Sequence, residues 1–138
     1  MKYYAVIDTN VVISSMLKKS SVPGKIIDYV AKGIIIPLFN EDILTEYAEV
    51  LSRNCFGFPQ NAIEEIIGLF KESGLFLEQT NVDEVFDDPD DAVFYEIVMT
   101  ARKTNEAYLV TGNIRHFPSK PFVVSPREML DIIGDKDY

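Results

Sequence analysis

The sequence contains almost none of the residues that build disulfide or zinc scaffolds. Of its 138 residues, one is a cysteine, Cys55, and one is a histidine, His116. A lone cysteine cannot form a disulfide within the chain, which excludes a secreted disulfide scaffold and favours a reducing compartment. A structural zinc site is excluded as well, because it needs four Cys or His ligands.

The sequence also lacks long apolar runs and the composition of a disordered chain. The first apolar run covers residues 3–7, which is shorter than a signal-peptide core, and no run approaches the roughly 18 residues of a membrane span. Glycine and proline number seven each, while 47% of the residues are hydrophobic. These values exclude collagen-like and disordered classes. We therefore expect a cytoplasmic protein without membrane contact, folded as a single domain over residues 1–138.

Positive charge is scarce and unevenly distributed. Thirteen Lys and Arg stand against 22 Asp and Glu, a net charge of −9. Residues 1–40 hold five Lys against two Asp, whereas residues 71–138 hold seven basic and 14 acidic side chains. A uniformly acidic surface would argue against nucleic acid, whose phosphates are neutralised by Lys and Arg. A concentrated acidic cluster instead leaves room for an anionic substrate bridged through a metal ion.

Apolar patterning predicts strands that alternate with helices. Short apolar runs predict buried strands at 3–7, 34–39, 75–79, 107–111 and 122–124. Amphipathic stretches between and after these runs predict helices. Continuous apolar strands alternating with helices are typical of a parallel sheet covered on both faces. The prediction is therefore an α/β fold with a central, mostly parallel sheet.

Capping residues mark where several helices begin. Asn40 is a predicted N-cap, and Asp88 is another, with Pro89 in the first helical position. Ser125 and Glu128 form the capping-box pattern that opens a C-terminal helix, in which Leu130 and Ile133 are predicted to face inward. In the strand at 34–39, Pro37 disfavours a central position for that part of the strand.

The carboxyl ends of the predicted strands carry polar side chains. Ligands of open α/β sheets bind outside these ends. Asp8 directly follows the first strand, and Asn113 follows the strand at 107–111. The competing interpretation of Asp8 is a plain helix N-cap, and we interpret Thr9 as a helix cap.

Two further acids lie beside apolar helix faces. Glu46 borders the face formed by Ile43 and Val50, and Asp91 shares a face with Phe94 and Val98. Each of these acids also has a simpler interpretation. Glu46 could be an ordinary, partly solvated glutamate at the edge of the core. Asp91 also ends a stretch of six acids in nine residues, which is usually a solvated surface.

Taken together, the three acids predict a metal site. Converging carboxylates repel one another, so burying them together is favourable mainly when a cation is bound. Ligands that are all oxygen suit Mg²⁺ or Mn²⁺. Such ions serve phosphoryl chemistry by activating water and by stabilising charge on phosphate oxygens.

In four segments taken in order, the chain resembles PIN-domain ribonucleases, particularly the bacterial and archaeal group described as toxin components of toxin–antitoxin systems. The resemblance covers the chain from Tyr3 to about Ile133. The segments are Val6-Ile7-Asp8-Thr9-Asn10-Val11, Glu46-Tyr47-Ala48-Glu49-Val50-Leu51, Asp88-Pro89-Asp90-Asp91-Ala92-Val93-Phe94 and Leu109-Val110-Thr111-Gly112-Asn113. The resemblance implies a three-layer α/β/α PIN-like domain. It also implies an acidic pocket that binds divalent ions, in which single-stranded RNA is hydrolysed.

The resemblance also implies roles for individual residues. Asp8, Glu46 and Asp91 correspond to the metal-binding acids, and Asn113 stands at the position of a fourth acid, where it keeps an oxygen ligand but lacks its charge. Two neighbours, Asn10 and Thr111, fit roles in orienting ligands or water. Arg115 and His116 follow the site closely and are candidates for contact with phosphate.

The expected activity is a metal-dependent endoribonuclease, with Mg²⁺ or Mn²⁺ as cofactor and single-stranded RNA as substrate. An antitoxin protein and a second copy of the chain are expected partners. One alternative is a phosphatase or phosphotransferase with Asp8 as nucleophile, although Asn10 stands where that class has a second Asp. The other is a non-catalytic interaction module with a vestigial acidic pocket.

Overall fold

The computed structural model describes residues 1–78, 84, 86 and 88–135. Two of the six clustered acids, Asp83 and Asp87, lie outside the described residues, as does Gln79 at the end of a predicted strand. The strands are β1 (Tyr3–Ile7), β2 (Ile35–Phe39), β3 (Leu75–Phe76), β4 (Ala107–Val110) and β5 (Val123–Val124). The helices are α1 (Thr9–Leu17), α2 (Val22–Ala31), α3 (Glu41–Leu51), α4 (Gln60–Ser73), α5 (Pro89–Ala101) and α6 (Pro126–Ile133), with a short 3₁₀ turn at Ile114–His116.

The five strands form one parallel sheet in the order β3-β2-β1-β4-β5. Helices flank this sheet, which confirms the predicted α/β class. The central strand β1 pairs with β2 on one side and with β4 on the other, with Ile7 opposite Val110. Consequently the chain segments that leave β1 and β4 begin side by side at the same edge.

One strand prediction needs correction. The strand predicted at 75–79 is only two residues long, Leu75–Phe76, and its side chains are exposed, so it lacks the burial that would extend it. Although β2 is an inner strand of the sheet, its part with Pro37 pairs with β1 alone. Because β3 pairs with β2 only at Leu38 and Phe39, the prediction that this part is not central is confirmed.

The predicted caps are confirmed. The Asn40 side chain accepts a hydrogen bond from the Ile43 N–H at 2.9 Å, and Asp88 accepts one from the Asp90 N–H at 3.0 Å. The capping box of α6 is complete in both directions. In that helix Leu130 is fully buried, and Ile133 is half-buried and packs against the core, so both face inward as predicted.

The core is built around the central strand. Ala5, Val6 and Ile7 have no exposed surface, because helices cover both sides of β1's alternating side chains. The Tyr47 hydroxyl donates a hydrogen bond to the Ile7 carbonyl and so ties α3 to the end of β1. Within the described part of the chain, no helix is both long and apolar enough to span a bilayer.

Candidate active site

Asp8 lies at the point where β1 and β4 end together. Its backbone N–H donates to the Val110 carbonyl at 2.9 Å, which continues the sheet by one residue. This pairing brings Thr111, the next residue after β4, against the carboxylate. The Thr111 hydroxyl donates to Asp8 Oδ2 at 2.6 Å, and both residues are buried. The predicted proximity of these two strand ends is therefore a real contact.

The Asp8 side chain does not cap α1. Asp8 occupies the N-cap position, and its backbone carbonyl accepts the first helical hydrogen bonds, but its carboxylate makes no capping bond. The carboxylate instead accepts a hydrogen bond from Asn10 Nδ2 at 2.9 Å, also at Oδ2. The plain N-cap interpretation of this side chain is therefore wrong.

Asn10 links the two strand ends. While its amide nitrogen donates to Asp8, its Oδ1 accepts a hydrogen bond from the Gly112 N–H at 3.0 Å. A Cβ at position 112 would lie 3.3 Å from that oxygen, so glycine allows the close approach. The predicted orienting role of Asn10 and Thr111 stays a prediction, but both hold Asp8 in place.

Glu46 reaches the same edge from α3. It is half-buried, and its Oε2 accepts a hydrogen bond from the Thr9 hydroxyl. Its neighbour Tyr47 anchors the helix on Ile7, one residue before Asp8. The prediction that Thr9 caps a helix misses its hydrogen bond to Glu46. The position of Thr9 directly after Asp8, at the edge of the sheet, is the sequence feature that could have indicated this contact.

Asp91 comes from the first turn of α5, and its side chain is 18% exposed. Its Oδ2 lies 3.6 Å from Nδ1 of His116, which is 58% exposed in the 3₁₀ turn after β4. Arg115 is exposed beside it. The structure thus brings His116 into contact with Asp91, and both residues line one pocket together with Arg115.

Asn113 is placed differently from the three acids. Its backbone N–H donates to the Thr111 hydroxyl at 2.9 Å, and the residue is exposed. This bond orients the hydroxyl that holds Asp8. The prediction that the Asn113 side chain supplies an oxygen ligand stays a prediction.

The three carboxyl groups share one electrostatic environment. Burial is the main factor that raises the pKa of Asp8, against hydrogen bonds that lower it, chiefly from Thr111. Burial also raises the pKa of Glu46, with the charges of Asp8 and Asp91 among those that add to it. For Asp91, burial and then the Asp8 charge raise the pKa to about 6. Their charges therefore destabilise one another.

This chemistry fits a hard divalent cation. The three groups offer carboxylate oxygens, and among the described residues no Lys or Arg forms an ion pair with any of them. As the side chains stand, no three Asp, Glu, His or Cys residues in the described ranges are close enough together to hold a metal ion. A bound cation would therefore require the carboxylates to move closer together.

Two pockets flank the first turn of α5. The first pocket has a volume of ≈ 490 Å³ and is lined by Glu84, Phe86, Asp88, Asp91, Arg115, His116, Phe117 and Pro118. The second pocket has a volume of ≈ 560 Å³ and is lined by Asp42, Thr45, Glu46, Glu49, Arg53, Pro89, Asp90, Val93 and Glu96. Asp91 thus faces the first pocket and Glu46 the second.

Two comparisons with known proteins bear on the family of the chain. The family model described as PIN domain matches residues 4–115. An uncharacterized protein of Methanocaldococcus jannaschii is 29% identical over 117 residues, which cover 82% of this chain and 72% of that protein. The segment matched by the family model contains Asp8, Glu46, Asp91 and Asn113.

Proposed function

Because the chain belongs to the PIN-domain family, whose members are typically nucleases, we propose that it is a divalent-metal-dependent endoribonuclease that cleaves single-stranded RNA. The observation that carries the proposal is the grouping of Asp8, Glu46 and Asp91 at one edge of the sheet. Each of these carboxyl groups has a raised pKa. Carboxylates that are buried close together, and that among the described residues pair with no Lys or Arg, are favourable where a cation neutralises them.

The three acids would hold Mg²⁺ or Mn²⁺, as PIN domains generally bind divalent metals. When bound, such an ion activates a water for attack on phosphorus and stabilises the charge that develops on the phosphate oxygens. Thr111 and Asn10 hold the Asp8 carboxylate, and Thr9 holds that of Glu46, through hydrogen bonds that leave the negative charges free for a cation. Asn113 would add a neutral oxygen beside them.

The alternative phosphatase chemistry receives no support from this geometry. It would use Asp8 as a nucleophile and a second acid two residues later as proton donor. Position 10 is an asparagine, and its amide donates to Asp8 Oδ2. An amide cannot exchange protons in that way, so the side chain serves to hold Asp8.

Cleavage of a mixed single-stranded RNA pool tests the proposal. We expect the wild-type protein to cut RNA in Mn²⁺, to lose activity in EDTA and to regain it when Mn²⁺ is restored. Asp8→Asn should abolish cleavage without unfolding the protein, because it removes one ligand charge and leaves the buried side chain nearly isosteric. Asp28→Asn, which changes an exposed acid on α2, is the matched control.

Wild-type cleavage rates in a purified Asp8→Asn protein would contradict the proposal. RNA binding without any cleavage, in wild type and variant alike, would favour the non-catalytic interaction module instead. A phosphorylated Asp8 trapped from a phosphate donor would favour the phosphatase alternative.

We further propose that the protein is the toxin of a toxin–antitoxin pair and forms a homodimer. The support is the acidic site itself, since an Arg-bearing segment of an antitoxin could form charge-assisted hydrogen bonds with these carboxylates. We expect the product of a neighbouring gene to co-purify with the protein and to inhibit its RNA cleavage. A stable monomer without such a partner would contradict the toxin assignment and leave the nuclease assignment standing.

A further inference from the structure

The two pockets beside the acids differ in the groups that a nucleotide needs. The first pocket combines an apolar wall, which contains Phe86 and Phe117, with the positive side chain of Arg115 and with His116. None of the described residues that line the second pocket is aromatic. Its lining arginine, Arg53, is already paired with Glu49 at 3.0 Å.

Resting on the proposed ribonuclease function, we propose that the first pocket binds one nucleotide of the RNA strand. Its base would lie against the aromatic wall and its phosphate at Arg115. This places an RNA-binding subsite on one defined side of the acidic site and assigns a task to Phe86 and Arg115.

The dimensions and packing of the first pocket suit this ligand. Its volume of ≈ 490 Å³ falls within the range of about 300–1,000 Å³ that is usual for small-molecule sites. The Phe86 ring is half-buried and packs on Tyr95 at 5.7 Å and on Phe117 at 6.2 Å between ring centroids. Phe117 is itself buried, so the wall is supported from behind. Stacking on such a ring tolerates any base.

In the first pocket Arg115 is the group that would hold a phosphate, and it lies among three carboxylates, those of Glu84, Asp88 and Asp91. Arg115 is exposed and follows the end of β4 closely, and the pocket that it lines also contains Asp91. A phosphate held by Arg115 therefore lies next to one of the proposed metal ligands. The neighbouring nucleotide then has its phosphodiester within reach of the acidic site.

The charges of the second pocket disfavour binding of a nucleotide phosphate. Five carboxylate side chains line it, and its arginine is neutralised by an ion pair. An RNA phosphate would be repelled there unless several cations accompanied it. The five acids are Asp42, Glu46, Glu49, Asp90 and Glu96.

Binding of nucleoside 5′-monophosphates in Mg²⁺, measured by NMR titration, tests the subsite without any cleavage step. We expect Arg115→Gln to weaken binding about tenfold, since it removes a charged phosphate contact. The slope of log K against log salt should also fall by about 0.7, the value for one contact to a single strand. Arg53→Gln, the matched change in the second pocket, should alter neither quantity.

The apolar wall has its own variant. Phe86→Leu keeps most of the side-chain volume and removes the aromatic face, and we expect it to weaken binding about tenfold. A melting curve similar to that of wild type shows that the variant is folded. If Phe86→Leu is not folded, the test of the subsite rests on Arg115→Gln alone.

The proposal is overturned if Arg115→Gln binds like wild type, or if Arg53→Gln weakens binding equally. Either result is independent of the RNA cleavage test with Asp8→Asn. A protein that cuts RNA but binds nucleotides without Arg115 would remove the subsite and keep the ribonuclease. A protein that binds nucleotides through Arg115 but never cuts RNA would keep the subsite and contradict the ribonuclease function.

Discussion

At the scale of single residues, short polar side chains hold the acids of the site in position. Asp8 accepts hydrogen bonds from Thr111 and Asn10, and Glu46 accepts one from Thr9. Hydroxyl and amide donors satisfy the carboxylates without neutralising them, so the negative charge remains available to a cation. Burial nevertheless raises the pKa of each carboxyl group, and this effect should be measurable in the metal-free protein.

Asp91→Asn should make the metal-free protein more stable at neutral pH. The pKa of Asp91 is about 6 in the folded protein against 3.8 ordinarily. An acid with a raised pKa contributes stability below its ordinary pKa and loses that contribution as the pH rises through the folded value. The advantage of the variant should therefore grow between about pH 4 and pH 6.5 and then level off.

Two pKa units correspond to at most about 3 kcal/mol, and solvent screening of this partly exposed group reduces the expected gain to about 1 kcal/mol. Urea unfolding in EDTA at several pH values measures it. Asp42→Asn, which removes an exposed acid on α3, controls for the loss of one negative charge. A difference between Asp91→Asn and wild type that is the same at pH 4 and pH 7 would contradict the assignment.

At the scale of elements, α4 ends against the sheet with almost no space. Gly74 follows the helix with an extended backbone, so its conformation is open to any residue. A Cβ at this position would lie only 2.2 Å from the Pro37 carbonyl oxygen and 2.8 Å from the Phe39 ring. The fit of α4 against β2 therefore requires glycine for space rather than for conformation.

Gly74→Ala and Gly68→Ala should change stability in opposite directions. The first introduces a clash with backbone and should cost about 1–3 kcal/mol, as overpacking does. The second lies inside α4 with nothing within 4 Å of the added Cβ, and it should gain about 0.5–1 kcal/mol from helix propensity. Chemical denaturation of both variants measures the difference. A Gly74→Ala protein as stable as wild type would show that α4 can shift away from β2.

At the scale of the whole molecule, the site draws on elements far apart in the sequence. Asp8 directly follows β1, Glu46 lies on α3 and Asp91 lies on α5, so a cation bound by all three would connect three parts of the fold. A ligand that binds only the folded state stabilises the whole chain by mass action.

We expect Mn²⁺ to raise the melting temperature of the wild-type protein. At about 100 times the dissociation constant the gain is roughly 2.7 kcal/mol, or about 10 °C for a domain of this size. Asp91→Asn should melt higher than wild type in EDTA and respond little to Mn²⁺. Equal metal-dependent shifts in wild type and Asp91→Asn would remove Asp91 from the metal site.

Apolar periodicity and capping residues act locally, so the α/β class, most helix boundaries and the position of Asp8 at a strand end could be predicted from the sequence. It did not determine the length of β3 or the inner position of β2, since strand pairing depends on neighbours that are remote in sequence. The contact of Thr9 with Glu46 spans 37 residues and exists only once α3 packs beside β1. Likewise, only the tertiary structure placed Arg115 and His116 in one pocket with Asp91 and placed Glu46 in another. Side-chain contacts of this kind follow from the packing of whole elements, which no local pattern specifies.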